Sequence, residues 1–238
     1  MSAGTPLRLA CLDAEAPPLF SRWSAERGRV GFEPAVAGLL GAELGRPVEW
    51  VRVPWARMIP IVREHGADAV LCGQGITPAR SALVDFTRPY AVFHESVLVR
   101  RGSGIASARD LAGLRVAAIE GSTNMALAET FAGAVPVGFG SGGSDDVYGD
   151  MLAALETGAV DAVVDDDVVF VPLGEGDPRF EIAFTVRTGN RWGIGVAKDR
   201  PELRAELDGA LARAIVDGRH RAAWDAWLPT LDYPFEEV

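Results

Sequence analysis

Gly73 and Gly75 end the apolar run Ala69-Val70-Leu71-Cys72, and Arg80 follows five residues later. A strand that closes on glycines leaves backbone N–H and C=O groups bare for a ligand. An arginine within reach of that spot adds a planar fork of donors suited to a carboxylate. The pattern suits a small anion or zwitterion. No nucleophile or metal cluster accompanies it. His65, His94 and His220 are scattered, no GxSxG occurs, and neither Cys11 nor Cys72 has a CxxC partner. No cofactor and no metal are therefore expected.

Further along, Ser122-Thr123 follows a strand-like run and a glycine at a helix start, where free N–H groups and the helix dipole favour an anion. Asp165-Asp166-Asp167 closes another strand-like run. Strand side chains alternate, so the reading turns Asp166 away from its two neighbours, which argues against a three-carboxylate metal site. Trp55 offers a flat ring for stacking on an apolar or cationic group. Asp13, Glu15 and Glu120 could add negative charge, which points to a ligand with a cationic or polar distal group.

Two runs of alternating strands and helices must position these residues. In the first, Leu7–Leu12, Val48–Val53 and Asp68–Cys72 read as strands. Glu33–Leu44 and Trp55–His65 read as the helices between them. In the second, strands at Arg115–Ile119, Val135–Phe139 and Val160–Val164 alternate with helices from Ser122 and over Asp150–Glu156. Each βαβαβ series implies a mostly parallel sheet with right-handed crossovers. Asp199-Arg200-Pro201-Glu202 predicts a capping box for a helix carrying Leu203, Leu207, Leu211 and Ile215. A last helix carries Trp224, Trp227 and Leu228. The glycine-rich stretch Gly138–Gly143 lacks the Gly-Lys-Ser/Thr of a phosphate loop and reads as a surface loop.

The 238 residues are enough for one domain or two small lobes, and the formal charge of −10 argues against nucleic acid and anionic membranes. No apolar run approaches the ~20 residues that span a bilayer. Met1–Pro6 shows neither a basic nor an apolar signal region. The chain is therefore expected to be cytoplasmic or to have lost an export signal. Cys11 and Cys72 are expected as buried free thiols, with a bridge possible if their strands are neighbours.

Ordered landmarks give the chain a family likeness. They are Asp13 with Pro17-Pro18-Leu19-Phe20, Gly31-Phe32-Glu33, Val53-Pro54-Trp55, Gly75–Arg80 and Val84–Tyr90, then Gly121-Ser122-Thr123, Gly158–Val163 with Asp166, Trp192–Val196 and Trp224–Leu228. Together they resemble the solute-binding proteins of amino-acid ABC transporters, family 3. The resemblance implies an α/β fold of two lobes of the type II periplasmic-binding kind, each a mostly parallel sheet flanked by helices, joined by two crossover hinge strands. Lobe 1 would hold residues 1–92 plus 190–238, and lobe 2 residues 93–189. The function implied is capture of an amino acid or analogue by cleft closure and delivery to an ABC permease, by a monomer in the periplasm or on a lipid anchor.

The resemblance also implies residue roles. Arg80 would grip the ligand α-carboxylate, with Gly75 and the Ser122–Thr123 helix end as further clamps. Gly73 would offer its carbonyl, and Asp166 its carboxylate, to the α-ammonium. Trp55 would cover the ligand side chain. Two departures stand out: Gly75 replaces the usual Ser or Thr, and Ala16 the usual Tyr or Phe. Cyclohexadienyl dehydratases resemble the same proteins, so an elimination using Glu120 or Asp165 as a carboxylic acid is an alternative. A sensory ligand-binding domain is another.

Overall fold

In a computed structural model, residues 4–140 and 146–235 are described. Of the expected Gly138–Gly143 loop, Gly138 ends strand-paired and residues 141–143 lie outside the described residues. The chain divides into two compact units. Unit 1 comprises Met1–Asp13, Pro17–Val92 and Arg191–Val238; unit 2 comprises Ala14–Ala16 and Phe93–Asn190. The strands β4 (Val84–Arg100) and β8 (Phe180–Ala197) each carry the chain from one unit into the other.

In unit 1 the strand order is β2-β1-β3-β8. β1 (Leu7–Cys11) runs parallel to β2 (Val48–Arg52) and to the two-residue β3 (Ala69–Val70), while β8 pairs antiparallel with β3. Helix α1 (Phe32–Leu44) turns Phe32, Val36 and Leu40 inward and ends at Gly45 in the left-handed conformation. The expected helix from Trp55 begins as a 3₁₀ turn, Trp55–Arg57, and becomes α2 (Met58–Arg63). A four-residue helix α3 (Pro78–Ser81), too short for apolar periodicity, is capped by Thr77, which accepts the Arg80 N–H at 3.2 Å.

The tail helices α7 (Pro201–Val216) and α8 (Arg219–Trp227) pack on α1. Leu203, Leu207 and Leu211 are buried as the fourfold spacing predicts. The predicted capping box does not form. Arg200 occupies the cap position and Asp199 instead pairs with His65 at 3.2 Å, so only Pro201 plays its expected part. Trp224 is buried edge-on to Phe32, with ring centroids 5.3 Å apart.

In unit 2 the order is β4-β7-β5-β6. β5 (Arg115–Ile119), β6 (Val135–Phe139) and β7 (Ala162–Asp166) are mutually parallel, and β4 runs antiparallel to β7. Val97, Val99, Val116, Ala118 and Val164 form the core with Met125 and Phe131. Around the sheet lie α4 (Thr123–Ala128), α5 (Val147–Thr157) and α6 (Asp167–Gly176). Strand β7 starts two residues later than expected and ends at Asp166.

Both cysteines are buried and free. Their strands are neighbours, yet the Cys72 sulfur accepts the Leu12 N–H at 3.4 Å instead of bonding to Cys11. Burial pushes the Cys11 thiol up to about 11, so neither reactivity nor metal binding is favoured there. Among the described residues no helix is long and apolar enough to cross a membrane.

Candidate functional site

The unit 1 half is built on the turn after β3. Gly73 has φ +57°, and a Cβ there would point at the Trp192 ring, 3.5 Å away. Its N–H is already spent. It donates to Glu33 Oε1 at 2.7 Å, and Tyr90 donates its hydroxyl to the same oxygen at 2.5 Å. Glu33 sits near the start of α1 and is fully buried; desolvation holds its carboxyl above the usual range, opposed by those two donors and by the Arg29 guanidinium. The arrangement fixes the turn through its Gly73 N–H.

Gly75 pairs with Trp192 in a single antiparallel bridge. Its neighbours close that bridge: Ile76 N–H donates to Arg191 O at 2.7 Å, and Gly193 N–H to Gln74 O at 3.1 Å. The Gly75 N–H is thus not consumed by the ladder. Its carbonyl accepts from Arg80 Nη1 at 3.0 Å. The Arg80 guanidinium lies over the Trp55 ring, 5.3 Å from its centroid. Two residues singled out separately in the sequence are therefore one stacked pair, and the short α3 holds the arginine against the glycine loop. Asp85 carries an ion pair to Lys198 at 2.9 Å.

Asp13 is also in unit 1, where it is engaged. It accepts from Arg52 at 3.3 Å and from the Trp23 N–H at 3.3 Å. Its charge is partly neutralised by a residue 39 positions away, which sequence spacing did not reveal.

The unit 2 half gathers at the C-terminal ends of β5 and β7. Ser122 caps α4, accepting the Met125 N–H at 3.0 Å. The Thr123 hydroxyl donates to Asn124 Oδ1 at 3.1 Å and accepts from the Asn190 amide at 2.9 Å. Asn124, which the sequence reading passed over, is buried two residues into α4 and lowers the carboxyls of both Asp165 and Asp166 against their burial. Its position two residues into a helix behind Ser122 was the available clue.

The expected alternation of the three aspartates is corrected here. It stands for Asp165 and Asp166, consecutive residues of β7, and fails only at Asp167, because β7 stops at Asp166 and α6 begins with Asp167. Asp166 occupies the position before that helix without a side-chain capping bond, and all three residues are buried. Desolvation raises the Asp165 carboxyl to about 7, and it raises Asp166 well above the usual range, with Asp165 and Glu95 adding repulsion. Glu120 is exposed at the end of β5, its N–H bonded to Phe139 O at 2.8 Å. It differs from the aspartates in exposure: Asp165 and Asp166 are buried.

Comparisons with known proteins give the family. The model of the bacterial extracellular solute-binding proteins, family 3, matches residues 9–230. The ABC transporter arginine-binding protein 1 of Escherichia coli is 27% identical over 223 residues, covering 92% of this chain and 89% of its own. The ABC transporter glutamine-binding protein GlnH of Bacillus subtilis is 27% identical over 192 residues, covering 80% and 67%. Among solved structures, an ancestral arginine-binding protein bound to arginine superposes with a TM-score of 0.85 at 27% identity, covering 95% of this chain and 99% of that one. With its fold and nearly its whole length matched, the chain belongs to family 3 of the bacterial extracellular solute-binding proteins, a family of binding proteins and not of enzymes.

Proposed function

We propose that this protein captures an amino acid or a close analogue and delivers it to an ABC permease, acting as a monomer outside the cytoplasmic membrane, in the periplasm or on a lipid anchor. The two units act as lobes, and β4 and β8 serve as their hinge strands. Arg80 takes the ligand carboxylate, helped by the Gly75 N–H and by the amides at the Ser122–Thr123 helix end. The Gly73 carbonyl and Asp166 take the ammonium, and Trp55 covers the side chain. Only a closed state lets one ligand meet groups from both units, and that difference in affinity drives closure.

The observation that carries this reading is the Arg80 guanidinium stacked on Trp55 beside a glycine loop whose free polar groups point to a zwitterion. Relatives named for arginine and glutamine binding support the substrate class. Asp13 is already paired with Arg52 and Glu120 is exposed, so the cationic preference rests more on Asp166 and its neighbours than on those two acids. Titration calorimetry with L-arginine, L-glutamine, L-glutamate and L-histidine tests the proposal. At least one should bind, and Arg80→Ala should weaken it by 100-fold or more, about 2.7 kcal/mol, with the fold intact. Binding retained within tenfold would overturn the role of Arg80.

A further inference from the structure

β4 and β7 pair so that Glu95 lies directly opposite Asp166, and Ser96 opposite Asp165. Cross-strand partners share a face of the sheet with Cβ atoms about 5 Å apart, and like charges there repel. Both are buried, Glu95 being 2% and Asp166 8% exposed. Their oxygens are unevenly served. Glu95 Oε2 accepts from the Thr188 hydroxyl on β8. Asp165 Oδ1 accepts the Asp166 N–H at 2.8 Å and the Tyr148 hydroxyl from α5 at 3.4 Å. Asp166 Oδ1 and Asp165 Oδ2 are buried without a partner.

No Lys or Arg on the packed elements compensates. From α4 comes the neutral Asn124, and from α6 comes Asp167, whose Oδ1 accepts the His94 N–H at 3.1 Å. His94 on β4 accepts the Gly189 N–H at its Nδ1 at 3.0 Å, and its ring acts on Asp167. β5 is apolar from Val116 to Ile119. Among the described residues no Lys or Arg forms an ion pair with Glu95, Asp165 or Asp166. Burial holds Glu95 as well as both aspartates above the ordinary carboxylate range.

We propose that Glu95 is a specificity residue of this protein: with Asp166 it forms a two-carboxylate seat for one ligand ammonium, whose entry expels a proton shared by the empty pair. This rests on the reading of Asp166 as the ammonium partner. Two buried carboxylates in register cannot both ionise without a cation between them, so the empty pair keeps one proton. An ammonium brings three N–H donors, enough for both carboxylates. As it seats, the shared proton passes to solvent and the pair becomes doubly ionised. A neutral or anionic group gains nothing from the second acid.

Calorimetry of the intact protein with L-arginine and L-glutamine, in buffers of different ionisation heat between pH 5.5 and 8, is the test. The protein should release close to one proton per ligand bound, and its affinity should rise with pH by up to tenfold per unit. Glu95→Gln should release far less, show a flattened pH profile and bind about tenfold more weakly at pH 8. Equal proton release and an unchanged profile in Glu95→Gln would overturn the proposal. A ligand-free arm separates this from the proposed function. Thermal unfolding of Glu95→Gln should show a gain over the parent at pH 8 that vanishes at pH 5; the same difference at both pH values would overturn the pairing. Heat from none of the amino acids would overturn the proposed function and the ligand half of this proposal, while the ligand-free arm still judges the paired acids.

Discussion

The two units bury charge in opposite ways. In unit 1, charges come in both signs. Glu33 lies near Arg29 and bonds Tyr90 and Gly73, and Asp68 sits between Arg46 at 2.7 Å and Arg200 at 2.8 Å. At the end of β7 in unit 2, only one sign is present: Glu95, Asp165 and Asp166, with two carboxylate oxygens unmet. Unit 2 can pair its acids elsewhere, as Asp161 with Arg115 shows. The contrast is one of sign: buried Glu33 has the Arg29 guanidinium near it, whereas no Lys or Arg among the described residues pairs with the acids at the end of β7, the place where the proposed ammonium would bring the missing charge.

The largest effect that would sharpen this contrast is Glu33→Leu. It strands the buried Tyr90 hydroxyl, costing about 1–3 kcal/mol, and leaves the Gly73 N–H with the longer bond to the Tyr90 oxygen at 3.2 Å. Urea unfolding should show a loss of ~3 kcal/mol; a loss below 1 kcal/mol would mean that unit 1 is not organised around this acid. Asp165→Asn should do the reverse. The folded Asp165 carboxyl stands at about 7, above its unfolded value, so the folded state holds the extra proton. Parent stability should therefore fall as pH rises from about 4 to 7, at no more than ~1.4 kcal/mol per unit. The variant should flatten that fall; an unchanged slope would break the one-signed picture of unit 2.

Acid should act oppositely on unit 1. Burial lowers the His220 imidazole to about 4, so the unfolded chain binds its proton first. Stability from this residue is full above about 6.5 and is lost as pH drops towards 4. Replacing it, as His220→Phe, should remove that acid sensitivity in a pH series of thermal melts. The smallest effect is Gly73→Ala. The new methyl meets Trp192 at ordinary contact distance, so the cost is the left-handed backbone alone, about 1–2 kcal/mol. A larger loss in melting would show that the turn is fixed by packing as well as by Glu33.

Much of this was legible in the sequence because it is local. The alternating strands and helices follow from apolar spacing, and Ser122 from its place before a helix. What stayed hidden is long-range. β4 and β8 mix charged and apolar residues, β8 with glycines among them, without a period because each passes through two environments. α6 escaped notice because it carries Pro172 inside and follows three acids. The Asp199 cap failed because His65, 134 positions away, takes that side chain. Glu95 has no local mark, since its meaning comes from Asp166 across the ladder. The Trp55–Arg80 stack was legible as two residues but not as a pair.

The account turns on one ligand being held by its carboxylate at Arg80 and by its ammonium at Asp166. The most direct measurement is a calorimetric cycle using the amino acid that binds and the corresponding amine lacking its carboxylate, each against the parent and Arg80→Ala. The parent should lose at least 100-fold in affinity when the carboxylate is removed, and in Arg80→Ala that loss should shrink to tenfold or less. If Arg80→Ala still favours the carboxylate-bearing compound by 100-fold, the guanidinium is not its partner and the account is contradicted.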